Sequence, residues 1–224
     1  MRDCWARLQV DVGACARCSA ELPDVSVECP PGLLYPPGVQ PPDPLRVLFV
    51  GVAPPENGRH FYTATSDNLR RGLFDVLAQV GRPCPTVDGF IARGFFLVHT
   101  AKCAIRGTTK PDLSVAKLCA STHLRREIEC LLPDGLCFLS KKIGFPVCAD
   151  LLPHWGHSGP VEFGQVTTLI VEDRPLHVVA TAWPGRGNKP LTKAHVQSLF
   201  CELGLVMAPN FPLQQARSAD TDRL

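Results

Sequence analysis

Four cysteines in this chain have the spacing of a chelate. Cys15 and Cys18 are separated by two residues and can grip one ion from a single turn, while Cys103 and Cys119 are separated by fifteen. Together they supply four thiolates, the number that closes either a tetrahedral zinc site or an iron-sulfur cluster, and spacing alone does not separate the two. Cys103 also ends the run Val98-His99-Thr100-Ala101-Lys102-Cys103, in which polar residues follow an apolar segment directly. The stretch thus joins a candidate ligand pocket to a candidate metal site. A second group of chemical interest is Trp183-Pro184-Gly185-Arg186-Gly187-Asn188-Lys189. Arg186, Asn188 and Lys189 on a glycine-rich loop can hold phosphates and position a nucleic-acid strand; the alternative is a solvated loop. Trp183 beside them can stack or wedge into a duplex, or pack in the core. Lys193 and His195 extend the patch.

Strands and helices must carry these groups. Residues 94–98 form a short apolar run of β-formers, which places His99 and Thr100 at the C-terminal end of a strand. In open α/β sheets that end is where ligands bind. Residues 45–51 read as the first buried strand; its glycine and the proline-bearing loop from Val52 to Tyr62 suggest backbone held open to a ligand. A helix follows from Ser66 or Asp67 through Leu69, Leu73, Val76, Leu77 and Val80 to Gly81, with Arg70 and Arg71 facing solvent or a phosphate. Asp112 or Ser114 can cap the helix after Cys103, whose apolar positions Val115, Leu118, Leu124, Ile128, Leu131 and Leu132 keep helical spacing up to the stop at residues 133–135. Further strands at residues 136–139 and 176–181, a helix over 141–152, an extra edge strand at 169–171 and a last helix ending near 203 complete the pattern. Alternating strands and helices predict a three-layer α/β/α domain around a mostly parallel, four-stranded sheet.

The chain of 224 residues, 45% hydrophobic, is long enough for one sizeable core. The expected division is a cysteine-bearing N-terminal segment with an extended proline-rich wrap over residues 1–44, an α/β domain over 45–207 and a disordered polar tail over 208–224. Eleven cysteines cannot all pair with one another, and in a reducing compartment such richness points to metal binding. Cys130, Cys137, Cys148 and Cys201 lie in apolar surroundings and read as small core hydrophobes. A net charge of +2 permits nucleic-acid binding without requiring it. The absence of a long apolar run or a secretory leader predicts an intracellular protein, in cytoplasm, nucleoid or nucleus, that acts as a monomer away from membranes.

Cys15-x-x-Cys18, Lys102-Cys103, the gap to Cys119 and Gly51-Val52-Ala53-Pro54 after the first strand together resemble the iron-sulfur branch of the uracil-DNA glycosylase superfamily, over residues 15–205. The resemblance implies a 4Fe-4S cluster on Cys15, Cys18, Cys103 and Cys119, with zinc as the alternative, that packs a loop against the body and leaves base chemistry to other residues. It makes Gly51, Val52, Ala53 and Pro54 part of a loop that approaches a flipped nucleotide. Gly58-Arg59-His60-Phe61 is similar to the family's Gly-Arg-x-Phe element, whose ring stacks on the extracted base. Phe61 suits that role, because an aromatic face restores the stacking a flipped base has lost; its other reading is a core phenylalanine. DNA, single- or double-stranded, is the implied partner, and hydrolysis of the N-glycosidic bond of a damaged or modified base the implied reaction.

Three positions depart from the family's pattern. Val52 stands where an acidic or other polar residue is expected, His99 where an asparagine reads the uracil edge, and Trp183-Pro184 where the motif is His-Pro. Cleaving a glycosidic bond requires groups aimed at positive charge on the sugar and negative charge on the leaving base. His99 can donate to a base oxygen or stabilise the departing anion. Glu56 or Asp67 can supply a displaced carboxylate, their alternatives being an exposed loop acid and a helix cap. The expectation is therefore a glycosylase with a divergent site; a nucleic-acid-binding module without the chemistry, or a zinc-stapled α/β protein acting on nucleotides, are the competing readings.

Overall fold

The computed structural model describes residues 2–28, 38–55, 61–105, 112–185 and 187–207. The chain runs α1 (Arg2–Gly13), α2 (Arg17–Glu21), β1 (Val27–Glu28), β2 (Val47–Gly51), α3 (Asn68–Gln79), α4 (Val87–Ala92), β3 (Phe95–His99), β4 (Ala104–Ile105), α5 (Leu113–Cys119), a π-helical turn (Ala120–Leu124), α6 (Arg125–Leu131), β5 (Gly135–Leu139), α7 (Gly144–Leu151), a 3-10 turn (Leu152–Trp155), β6 (Thr167–Val171), β7 (Arg174–Thr181) and α8 (Lys189–Glu202). The main sheet has five strands in the order β3-β2-β5-β7-β6. All neighbours are parallel except β6, which runs antiparallel to β7.

Strands β2, β3 and β5 are buried at every position, the mark of strands covered on both faces. Their side chains alternate between two cores. Leu48, Val50, Phe96, Val98, Leu136 and Phe138 pack against α1, α5, α6 and α7, whereas Val47, Phe49, Phe95, Leu97, Cys137 and Leu139 pack against α3, α4 and α8. The result is the expected three-layer α/β/α sandwich. Residues 169–171 lie within β6, so the sheet gains a fifth strand beyond the four expected; β6 can only be an edge, since Ile170 on it stays exposed.

The N-terminal segment opens with an element for which the sequence sets no expectation. Residues 2–13 form a helix, because Trp5, Leu8 and Val12 recur at helical spacing and bury one face. Trp5 meets Phe96 edge-on with ring centroids 5.7 Å apart. Asp11 pairs with Arg126, and a Cys4–Cys130 disulfide ties α1 to α6. Cys130 is therefore a half-buried cross-link and not a plain core residue; Cys137 and Cys148 are buried thiols as expected, and Cys201 is only half-buried. Two-residue strands β1 and β4 pair antiparallel and close the segment onto the residues after Cys103. Residues 29–37 of the proline-rich stretch and the tail from 208 lie outside the described residues. Among the described residues no helix is long and apolar enough to cross a membrane.

Gly72 on α3 is where the loop after β7 rests: a Cβ there would lie 2.1 Å from the carbonyl oxygen of Pro184. Replacing Gly72 by Ala should thus push the Trp183-Pro184 loop off α3 and lower stability by about 1–3 kcal/mol, the usual cost of overpacking; denaturant unfolding of Gly72→Ala measures it, and an unchanged midpoint would contradict the close approach.

Candidate functional site

The loops that follow β2, β3 and β7 meet at the C-terminal end of the sheet around a cavity of about 310 Å³. Ala53, Pro55, Phe61, Asp67, His99 and Trp183 line it, and its size falls in the range of roughly 300–1,000 Å³ usual for small-molecule sites. His99 is the last residue of β3 and the direct register partner of Gly51 on β2. A Cβ at Gly51 would sit 3.0 Å from His99 Cδ2, so the missing side chain is what lets the imidazole lie across β2. His99 is 6% exposed, and the loop beside it is clamped. Thr100 N–H donates to Gly51 O, Ala101 N–H donates to Val52 O at 2.9 Å, and Thr100 Oγ1 donates to Val52 O at 2.6 Å. Val52 itself turns its side chain into the core.

Phe61 is 2% exposed and forms one wall. Its ring also belongs to an aromatic cluster, 5.3 Å from Phe90 and 5.9 Å from Phe74 between centroids, so both readings of this residue describe part of its position. Arg70 pins the backbone there by donating to Phe61 O and Ala64 O, a role inside the protein rather than toward solvent or phosphate. Tyr62 OH donates to Leu97 O and accepts from Leu97 N–H, occupying the outer edge of β3. Asp67 caps α3, Oδ1 accepting from Arg70 N–H at 2.6 Å, while its side chain also borders the cavity. Trp183 is 37% exposed at the rim. Pro54 is buried beneath the loop. Asn188 is exposed before α8, and Lys189 pairs with Asp75 of α3. Glu56, the Gly58-Arg59-His60 element and Arg186 lie outside the described residues.

A second, smaller cavity of about 20 Å³, room for about one water, lies on the other side of residues 99–103. Cys15, Cys18, Cys103 and Cys119 all line it, with Lys102 and His123. Cys15 and Cys18 come from the start of α2, Cys119 from the end of α5, and Cys103 from the strand-end segment. Four cysteine sulfurs are a donor set able, when reduced and gathered, to ligate a metal. Lys102 N–H donates to Cys119 Sγ at 3.2 Å, and burial pushes the Cys119 thiol up to about 12 against the nearby Lys102 charge. Burial and then Cys15 raise Cys18 as well. The Cys18 and Cys119 thiols are thus neutral at neutral pH unless a cation repays the charge. The sulfurs line the cavity without closing on a point: among the described residues no group of three or more His, Cys, Asp or Glu is gathered closely enough to hold an ion, and Cys103 is disulfide-bonded.

Lys102 links the two cavities. Its ammonium group donates to His99 O at 2.6 Å and forms an ion pair with Glu127 of α6, and both residues are 1% exposed. Burial raises the Glu127 carboxyl above its ordinary value, opposed by that ammonium. Glu127 belongs to no motif, and its one signal in the sequence is its place on the apolar stripe with Leu124, Ile128 and Leu131. His123, one helical turn after Cys119, belongs to no motif either. Burial, then the charges of Lys102 and Arg126, push His123 down to about 4, so its ring is neutral at neutral pH.

A sequence model of the Uracil DNA glycosylase superfamily matches residues 37–190. The chain belongs to that superfamily. Among solved structures it resembles a crystal structure of a mimivirus UNG variant in complex with UGI, at 16% identity over 82% of this chain and 80% of that one, with a TM-score of 0.42. No curated protein matches the sequence.

Removing one member of a buried ion pair strands the other. Lys102→Met should cost about 3–5 kcal/mol, and adding Glu127→Leu should recover most of that loss. Denaturant unfolding of the single and double variants reads both effects, and equal stabilities would show that the pair is not buried.

Proposed function

We propose that this protein binds DNA and hydrolyses the N-glycosidic bond of a damaged or modified base extruded into the 310 Å³ cavity. The observation that carries the reading is the convergence of His99, Phe61, Asp67, Ala53 and Trp183, from three separate loops, on that one space. Phe61 offers an aromatic wall to a base that has left its stack. His99 offers an imidazole at the floor, where a donor would face a base oxygen and the negative charge that develops as the base leaves. Asp67 at the border, or Glu56 from the same loop, is the carboxylate that would face the sugar. Trp183 at the rim, with Asn188, Lys189 and Arg186 near the start of α8, would meet the strand and its phosphates. In this reading uracil is a disfavoured base, since His99 presents a different hydrogen-bonding edge from an asparagine.

The cysteine cavity, in the same proposal, holds a 4Fe-4S cluster on Cys15, Cys18, Cys103 and Cys119, which places this chain in the iron-sulfur branch of its superfamily. The cluster would fasten the N-terminal segment to the strand end, and a ligand role for Cys103 requires its disulfide to be reduced. A single zinc ion is the second reading of this centre, favoured by the small volume of the cavity. For the function itself the second reading is a binding module without chemistry. It is favoured by Val52, whose buried apolar side chain cannot orient water, and by the commitment of Asp67 to capping α3.

Two measurements test these proposals. Anaerobically purified protein should be brown, with a broad visible band and about four iron and four sulfide per chain; a colourless zinc protein would replace the cluster. Cluster-loaded protein should release a base from single- or double-stranded oligonucleotides carrying uracil, hypoxanthine, xanthine or oxidised pyrimidines, read by alkaline cleavage of the abasic product. His99→Ala should lower that rate by about 10²-fold or more, the usual effect of losing a donor to developing negative charge, with DNA binding retained. Salt-dependent binding without base release from any of these substrates would favour the binding module.

A further inference from the structure

A cavity of about 450 Å³ lies beside the base pocket and shares Ser66 and Asp67 with it. Arg71, Phe74, Pro85 and Thr86 also line it. The aromatic walls of the two spaces touch: Phe61 of the first meets Phe74 of the second edge-on, with centroids 5.9 Å apart. The charge of this second cavity suits a phosphodiester. Its lining holds one carboxylate, Asp67, against two guanidinium groups, Arg70 and Arg71. Arg70 is committed to the carbonyls of Phe61 and Ala64. Arg71 is exposed on α3, and its guanidinium donates to the neutral Asn68 Oδ1 at 2.6 Å. Asp75, one turn further along the helix, is taken by Lys189. Among the described residues no carboxylate neutralises Arg71, so an anion in the cavity would meet its full charge. Thr86 Oγ1 accepts from Gly89 N–H at 3.0 Å, which leaves its own O–H to donate. Half-buried Phe74 and exposed Pro85 offer apolar surface on which a base can stack.

We infer that this cavity takes the nucleotide next to the excised one, with its phosphate on Arg71 and its base against Phe74 and Pro85, and that the substrate is therefore single-stranded DNA. The inference rests on the proposed base-excision reading. A nucleotide that neighbours the flipped one can enter a second cavity only after leaving its own stack. In a duplex that breaks a second base pair; in a single strand it costs stacking alone, which Phe74 restores. Ser66 and Asp67, common to both spaces, would lie between the two units.

The test uses the full chain as wild type, Arg71→Gln and Arg71→Lys. Binding is read by fluorescence anisotropy on oligonucleotides with a central tetrahydrofuran residue, an abasic mimic with no base to release. Two further probes carry a second tetrahydrofuran immediately before or immediately after the first, which removes a neighbouring base and keeps every phosphate. Each probe is used single-stranded and annealed to its complement. The expected result is tighter binding to the single strand than to the duplex. Removing the neighbouring base on one side only should weaken single-strand binding about 10-fold, the usual worth of a stacked base. In Arg71→Gln the slope of log affinity against log salt should be shallower by about 0.7, the loss of one phosphate contact on a single strand, while Arg71→Lys keeps the wild-type slope. Equal affinities for the three single-stranded probes, equal losses from either side, or a duplex bound as tightly as the single strand overturn the inference and leave the base-excision reading standing. An unchanged slope in Arg71→Gln overturns the placing of the phosphate and the inference with it. A wild type that binds none of the probes overturns the DNA reading and this inference together.

Discussion

The ion pair between Lys102 and Glu127 is the interaction on which both ends of the candidate site depend. Two charges with almost no exposure are expensive to desolvate, and only close pairing and further hydrogen bonds offset that cost. The second requirement is met by His99 O, which accepts from the Lys102 ammonium. The same residue's backbone N–H reaches Cys119 Sγ. One side chain and one amide therefore fix the end of β3, the middle of α6 and the wall of the cysteine cavity relative to one another. A shift of any of the three would strand a charge or a donor, which makes the arrangement discrete rather than continuously adjustable.

Close approaches made possible by glycine shape the rest of the pocket. Gly51 gives His99 room to lie across the neighbouring strand, and Gly72 lets the backbone after β7 rest on α3. Arg70 holds the loop that carries Phe61, while the carbonyl of Val52 takes two hydrogen bonds from Thr100 and Ala101. These contacts are made mainly by backbone, so they preserve the loop geometry whatever side chain stands at position 52. The loop therefore holds its shape with the side chain of Val52 turned into the core, while His99 and Trp183 line the cavity.

The parallel strands were legible because each is a short apolar run closed by polar or glycine residues, and Asp67 and Asp112 announced the helices they cap. The position of His99 at a strand end followed from the same pattern. Helix α1 was not legible: its apolar face is only Trp5, Leu8 and Val12 among charged neighbours, and its stability comes from a tryptophan packed on Phe96 and a cross-link to Cys130, both long-range. Lys189 read as a phosphate contact because sequence shows its charge and not Asp75, which approaches it from a helix more than a hundred residues earlier. Arg70 read as a surface group for the same reason: its acceptors are carbonyls, which sequence does not distinguish. Glu127 and His123 were hidden by the opposite problem, polar residues on a buried helix face; the partner of Glu127 arrives from Lys102, distant in sequence.

The position of the cysteine cavity argues for its role. It shares no lining residue with the cavity at the sheet end, yet His99 lines that cavity while Lys102 and Cys103, a few residues later, line this one. Strands β1 and β4 are two residues each, too short to hold the N-terminal segment by themselves. The apolar cluster of Cys18, Ala101, Val115 and Cys119 joins α2 to α5 and the strand end, and Arg17 donates to Thr122 Oγ1. In the proposed reading, a group binding all four sulfurs adds to that cohesion, and its binding energy appears as folding energy of that corner. Because Lys102 carries the same corner to the carbonyl of His99, loosening the cysteine centre would loosen the floor of the pocket. In the proposed reading, a metal group there acts on base binding through position alone, with no contact to the reacting atoms.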